Sequence, residues 1–439
     1  MKNVINDKKR IIMVVDSTLL TSVGLRRLEH LSKLPQLNFM VEWHIIGDDS
    51  GQKLIRHNNQ NTRVYFLPGF HFLKFSPYLF RKRVKSHYIH FLKKDKYREK
   101  NNIFFVSIPP FSMSLVHEML LDSGYYSVLD IRDIYQELIG ISSQIIKNSK
   151  NSLIQKHQFG KTKGIFNLFF NKGYRFYEYI LSKEQRRVLA KTRLLTYAHP
   201  YFKGYISKEV IQEARLSYIS NGADGNVFLY KDTFEQKFLK EELIHIVHFG
   251  SFLPYHGLEI WIKLMTYLDP ERIHLHFIGD GPLRSTLQKA VKRLGIKDRV
   301  SFLGKINHSE IPNYICSADF TVASFNPKYG GMSKIARPTK VIESLLCGTP
   351  AIFYGGGVGL KSLAELIPKS LYVFEEEPLD HLVAFFQSLK KVDKKTRENT
   401  SIQAKELLDY SLIREDFIIF LRNVFSNIEI TSKTPPTEF

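Results

Sequence analysis

The stretch Arg337-Pro-Thr-Lys-Val-Ile-Glu-Ser-Leu-Leu-Cys-Gly-Thr-Pro-Ala-Ile352 combines residue types that can do chemistry at a useful spacing. A helix opened by Pro338 sets Lys340 and Glu343, three residues apart, on one face of its first turns, with Thr339 beside them. Free N–H groups at a helix start attract phosphate, a lysine adds a point charge, and a glutamate accepts hydrogen bonds from a ribose diol. That set fits a nucleoside diphosphate; the alternative for the same two residues is an ordinary ion pair at a helix start. Gly250 and Gly257 sit in turns after a strand-like run, as does Gly24. Each either lets backbone approach a ligand or serves a positive φ. Arg132 and Asp133 follow the end of another strand-like run, where a catalytic or substrate-orienting group belongs, unless they pair with neighbours. Asp130, the last residue of that run, reads instead as a buried anchor. His199 follows the run Arg193 to Tyr197, and either faces a ligand or is structural. No Asp-x-Asp metal motif occurs, and no cofactor is expected.

These residues need a scaffold that brings strand ends together. Short β-branched or aromatic runs alternate with helix-length stretches, the pattern of parallel strands with crossover helices. The first series runs Ile11 to Val15, Glu42 to Ile46, Arg63 to Leu67, Ile103 to Ser107, Tyr126 to Asp130 and Arg193 to Tyr197. A second runs Ile244 to Phe249, Ile273 to Ile278, Arg299 to Leu303, Asp319 to Ala323, Pro350 to Phe353 and Leu371 to Phe374. The fold class is α/β, with two doubly wound domains. Asn221-Gly-Ala-Asp-Gly225, a cluster of turn formers, marks the boundary. The expected division is 1–222 and 223–412, then a closing helix at 413–431 and a loose tail at 432–439. Ligands of such sheets bind beyond the carboxyl ends of the strands.

The 439 residues carry a net charge of +20, with 44% hydrophobic residues, enough for a sizeable core, which excludes general disorder. The charge is uneven: residues 1–225 hold 36 Lys and Arg against 18 Asp and Glu, and residues 226–439 hold 27 against 25. Two basic segments interrupt the first series. Residues 71–100 carry ten Lys or Arg among Phe72, Phe75, Tyr78, Phe80, Tyr88 and Phe91; residues 138–177 carry seven and no acid, again among aromatic residues. Such texture suits a surface helix lying on an anionic bilayer with rings at headgroup level, or a solvated basic face over core aromatics. No nucleic-acid-binding motif accompanies it. No apolar run reaches the roughly 18 residues of a membrane span, and the start of the chain does not read as a signal peptide. Cys316 and Cys347 fit a reducing compartment. The expected location is cytoplasmic, peripheral to the inner face of the membrane.

In their order and spacing, several segments resemble the GT-B glycosyltransferases, particularly glycosyltransferase family 4. Tyr218-Ile-Ser-Asn-Gly-Ala-Asp224 is similar to the family's interdomain signature, and Phe249-Gly-Ser-Phe-Leu-Pro-Tyr-His-Gly257 to its first donor-domain glycine turn. Phe277-Ile-Gly-Asp-Gly-Pro282 resembles the G-x-G-P turn, and Val300-Ser-Phe-Leu-Gly304 the strand before the base-binding loop. Ser107-Ile-Pro-Pro110 and Val128 to Asp133 resemble members acting on lipid-linked acceptors. The resemblance implies a retaining, metal-independent transfer from a nucleotide-sugar donor to a hydroxyl of a lipid-linked or other glycan acceptor, in envelope polysaccharide synthesis. It places Glu343 on the ribose, Lys340 on the phosphates, and Gly304, Lys305 and Ile306 near the base. Gly24 and His199 fall on the acceptor side. Two departures stand out. Ile335 occupies the position, eight before Glu343, where members often have a carboxylate on the donor sugar, so backbone of Gly331, Met332 and Ser333 is expected to serve instead. Ser251 and His256 stand where many members hold the diphosphate with Arg and Lys. The departures admit a non-catalytic GT-B partner subunit; a GT-B nucleotide-sugar epimerase and a polyanion binder are further alternatives.

Overall fold

The computed structural model describes residues 9–17, 23–34, 39–47, 62–73, 76–93, 97, 101–108, 111–132, 180, 183–205, 214–231, 233–238, 242–326 and 332–433. Two compact units emerge, with changes of unit at Ser220/Asn221 and at Asp409/Tyr410.

The first unit holds a sheet of seven strands: β1 (Arg10–Asp16), β2 (Met40–Gly47), β3 (Thr62–Phe66), β4 (Asn102–Ile108), β5 (Tyr126–Ile131), β6 (Leu194–Tyr197) and β7 (Arg215–Tyr218). Their order is β3-β2-β1-β4-β5-β6-β7, with every pairing parallel. β7 is a strand that the hydrophobic pattern did not announce, since Arg-Leu-Ser-Tyr is short, mixed and only half-buried. The central strands are apolar on both faces, as a sheet covered by helices on both sides requires. Helices Val23–Ser32 and Tyr410–Lys433 cover one face. In the latter, Ile413, Phe417, Phe420, Leu421 and Val424 recur at helical spacing and are buried with Ile11, Met13 and Phe105. The last helix therefore starts at Tyr410, earlier than the expected 413, and Tyr410 stacks on His30 at 4.5 Å.

The second unit holds β8 (Ile244–Phe249), β9 (Ile273–Ile278), β10 (Val300–Gly304), β11 (Phe320–Ser324), β12 (Ala351–Tyr354) and β13 (Leu371–Phe374). The order is β10-β9-β8-β11-β12-β13, again all parallel. Two apolar clusters form its core; Val247, Phe249 and Ile342 belong to one, Ile246, Trp261 and Phe277 to the other. The strand order reverses direction between β8 and β11, where a doubly wound sheet opens a crevice for ligands.

Of the aromatic residues in 71–100, Phe80 and Tyr88 are buried, Phe91 packs on Tyr65 and Tyr97, and only Tyr78 is shown strongly exposed, at 73%. For Phe80, Tyr88 and Phe91 this is the alternative of core aromatics under a basic face; Phe72 and Phe75 carry no described side chain. The rings fill the gap between helix and sheet edge, while Leu79, Lys82, Arg83, Lys85, His87, His90 and Lys93 face outward. The basic segment 138–177 lies outside the described residues.

Candidate functional site

In the second unit the turns after β8, β9 and β10 are stitched edge to edge. Gly250 N–H donates to the Ile278 carbonyl (2.9 Å), Phe252 N–H to Asp280 (2.9 Å) and Gly279 N–H to Gly304 (2.7 Å). Gly250 has φ +116° and Gly279 φ +130°, conformations that disfavour any side chain. They are also tightly packed: a Cβ on Gly279 would overlap the Gly250 carbonyl oxygen. On Gly250 it would meet Lys340 Cε and lie 3.1 Å from the ammonium nitrogen. The glycine is thus the seat of a lysine, a relation between residues 90 positions apart that no local pattern reveals.

Lys340 comes from the helix Thr339–Leu346, which Pro338 precedes as an extended cap and does not open. The first intrahelical bonds run from Val341 and Ile342 to the Pro338 carbonyl, so Thr339 and Lys340 occupy the start, where N–H groups lack helical partners. Burial pushes the Lys340 ammonium down to about 8, with Glu343 partly opposing. Glu343, one turn on and buried, faces the His308 imidazole at 3.6 Å from Nε2. His308 sits in the loop after β10 and meets Phe228 edge-on at 5.1 Å. Lys305 and Ile306 lie in that same loop; Lys305 is exposed, and Ile306 packs against the core.

The loop between β8 and the helix Glu259–Met265 carries Ser251, which is exposed, and His256, which is buried. His256 Nδ1 donates to the Ser251 carbonyl at 2.7 Å. Trp261 Nε1 donates to Ser324 Oγ (3.0 Å), whose hydroxyl donates to the His256 carbonyl (2.5 Å). Asn326 N–H donates to the Tyr255 carbonyl (2.8 Å). These bonds tie the loop to the end of β11, the other side of the switch point. Burial, then Lys340 and His248, push the His256 imidazole well below its ordinary value. At the far end of helix Thr339–Leu346, Thr321 donates to Ser344, Ser344 to the Thr349 carbonyl (2.7 Å) and Arg397 to Thr349 Oγ1 (3.2 Å). That polar set holds the helix in place from below.

Ile335 is buried, and Gly357 and Gly359 pack their Cα atoms against the backbone of Lys334 and Ile335. Their role is close packing, and Arg337 completes it by donating to the Gly359 carbonyl (3.0 Å) and Ser362 Oγ (3.0 Å). Met332 and Ser333 lie in the short helix Met332–Ile335; Gly331 falls outside the described residues.

In the first unit, Asp130 is a fully buried anchor at the end of β5. It accepts from Arg27 (2.9 Å), Ser107 (2.8 Å) and Thr196 (2.8 Å), and Arg27 also reaches the carbonyls of Ile219 and Ser220. Arg132 is buried beside it and donates to Ser107 Oγ at 2.8 Å. Gly24 sits in the first turn of helix Val23–Ser32 after β1, and His199 is buried after β6. Asp133 lies outside the described residues. Sequence reasoning missed His308, Phe228, Arg27 and Arg397, each of which meets its partner across a long stretch of chain. Among the described residues no group of three or more His, Cys, Asp or Glu is arranged to hold a metal ion. No described helix is long and apolar enough to cross a membrane.

Residues 230–406 match the family model "Glycosyl transferases group 1". A 2-deoxystreptamine N-acetyl-D-glucosaminyltransferase of Streptomyces fradiae is 32% identical over 97 residues, covering 22% of this chain and 21% of the relative. An alpha-monoglucosyldiacylglycerol synthase of Streptococcus pneumoniae is 28% identical over 109 residues, 25% of this chain and 23% of the relative. The matches thus span about a fifth of the curated relatives' length. Whole-chain likeness is structural: a sucrose-phosphate synthase of Thermosynechococcus elongatus superimposes with TM-score 0.65 at 15% identity, over 96% of this chain and all of that one. The Anabaena protein HepE, solved with UDP and glucose, gives TM-score 0.64 at 15% identity, over 94% and 99% of the two chains. Residues 230–406 are thus similar to the glycosyl transferases group 1 model, and the chain has the two-sheet GT-B fold.

Proposed function

We propose that the protein is a glycosyltransferase that moves a sugar from a nucleoside diphosphate sugar to a hydroxyl of a glycan acceptor. The observation that carries this reading is Lys340 seated over Gly250 at a helix start, with Glu343 one turn on, inside a group 1 domain. A diphosphate at that point receives a point charge and helix N–H groups, and Glu343 accepts from a ribose diol. Charge that develops on the leaving diphosphate is stabilised by the same groups, which supports a metal-independent reaction. Retention at the anomeric carbon and membership of family 4 rest on the motif resemblance. UDP in the HepE structures favours uracil as the first base to test.

A lipid-linked acceptor and an envelope role are supported by the basic outward face of residues 77–93 and by the diacylglycerol named for the pneumococcal relative. That face adds about 1 kcal/mol of attraction per basic residue near an anionic surface. Vesicles of anionic phospholipid should co-sediment the protein at low salt, and Lys82→Glu with Arg83→Glu should release it; binding untouched by both changes sinks the membrane role.

For the activity itself, a panel of nucleoside diphosphates and their sugars is screened for thermal stabilisation of wild type and Glu343→Ala, since a ligand that binds only the folded state raises the melting point. A shift with one base, lost in the variant, identifies the donor; release of nucleoside diphosphate in the presence of acceptor then measures transfer. The buried Ile335, in place of a carboxylate, favours a second reading as a non-catalytic partner subunit. Sugar transfer by the purified chain excludes it.

A further inference from the structure

The remaining nitrogen of His256 is the point of departure. Its Nδ1 lies 2.7 Å from the Ser251 carbonyl oxygen. A carbonyl only accepts, so Nδ1 carries the proton, and in a neutral ring Nε2 then presents a lone pair. A lone pair repels phosphate oxygens. The ring is nevertheless placed among groups that would share an anion with it, because the ammonium of Lys340 lies against Gly250, in the same loop, and acts electrostatically on the ring.

Resting on the donor-site reading above, we infer that His256 enters the nucleotide site as an unprotonated imidazole and engages the diphosphate only by taking up a proton. The groups that face it account for both states. Lys340, from the helix Thr339–Leu346, acts on the ring and opposes its charge in the free protein, and His248, from β8, is the other titratable group facing it. His248 itself donates from Nδ1 to the Val322 carbonyl (3.0 Å), and burial pushes it down to about 3, so it stays neutral. Tyr255 meets the ring edge-on at 4.5 Å, Phe325 lies at 6.3 Å, and neither supplies a charge. A diphosphate beside Lys340 reverses the balance: two negative charges favour the imidazolium, and the Ser251 carbonyl keeps its bond to Nδ1–H throughout. Diphosphate binding thereby acquires a second cation that the free protein never exposes. The free site thus avoids two adjacent buried cations.

The test is isothermal titration calorimetry at pH 6.5, in buffers of different ionisation enthalpy, with the glucose conjugates of UDP, GDP, ADP and dTDP. These probes are chosen because their diphosphates do not titrate in this range, and Lys340 is already charged there. Wild type should take up about one proton per ligand bound, and its affinity should fall about tenfold per pH unit from 6.5 to 7.5. His256→Gln should bind with no buffer dependence at pH 6.5 and lose less than about twofold in affinity over that interval, the part that Lys340 contributes as pH nears 8. As a second readout free of the variant, the His256 ring resonances of wild type should titrate at higher pH with ligand than without. Binding with no proton uptake, or equal uptake by wild type and variant, overturns the inference and leaves the donor site standing. Binding of none of the four conjugates overturns the donor-site reading and this inference with it.

Discussion

At the scale of single residues, the site is built around a lysine that the fold holds at a disadvantage. The Lys340 ammonium ordinarily titrates near 10.5 and sits at about 8 here, because burial disfavours its charge. Its unfolded value exceeds its folded one, so its contribution to stability is largest above 10.5 and is lost as pH falls toward 8. Lys340→Met should therefore raise the melting point of the ligand-free protein at pH 7 and abolish stabilisation by nucleoside diphosphates. Differential scanning fluorimetry of both proteins checks this; a variant that melts lower, or still responds to nucleotide, contradicts it. On the proposed donor-site reading this charge opposes folding, as active-site groups commonly do. If Lys340 holds the donor diphosphate as proposed, the same titration makes donor affinity decline as pH rises through 8.

Among the elements, the turns after β8, β9 and β10 leave no slack. Gly279 combines φ +130° with a site where a methyl group would strike the Gly250 carbonyl. Gly279→Ala should cost about 3 kcal/mol and weaken nucleotide binding as well, since Gly250 moves with it. Urea unfolding together with a binding isotherm measures both, and an unchanged pair of values refutes the argument. In the other unit, Asp130 fixes the ends of β4, β5 and β6 to Arg27, and Arg27 fixes the chain leaving β7. Asp130→Asn leaves a buried guanidinium without its charge partner and should cost about 3–5 kcal/mol. The nucleotide-induced shift belongs to the other unit and should persist; its loss would show that Asp130 has a role beyond anchoring.

Across the whole molecule, buried neutral histidines set the acid limit. Burial pushes His117 and His248 down to about 3, and burial with His274 and His245 pushes His276 to about 2, against an ordinary 6.5. Unfolding lets each bind a proton below 6.5, so their contribution is fully present above 6.5 and is lost as pH falls toward 2–3. At one unit below 6.5 each removes about 1.4 kcal/mol. His117 lies in the first unit, and His248 and His276 in the second, so both should lose stability together. Melting points should be flat between pH 7 and 8, below the range where Lys340 titrates, and fall steadily from 6.5 to 5; a flat profile to pH 5 refutes the assignment.

The sequence by itself determined the class of fold and supplied the residues of the proposed site, because strand-length apolar runs, turn glycines and a Pro-Thr-Lys-x-x-Glu helix start are local signals. Among the described residues it located twelve of the thirteen strands and missed β7, whose short and mixed run buries little and so carries no periodic signature. Only the tertiary structure decided which glycine seats Lys340, since that depends on β8 and the helix Thr339–Leu346 meeting in space. The same holds for Glu343 and His308, and for Phe80, Tyr88 and Phe91, which pack inward at the sheet edge while Tyr78 and the cations stay in water. Local pattern reports the energy of a residue in its own element; a buried charge or a methyl-free contact is set by a distant partner, and packing alone chooses that partner.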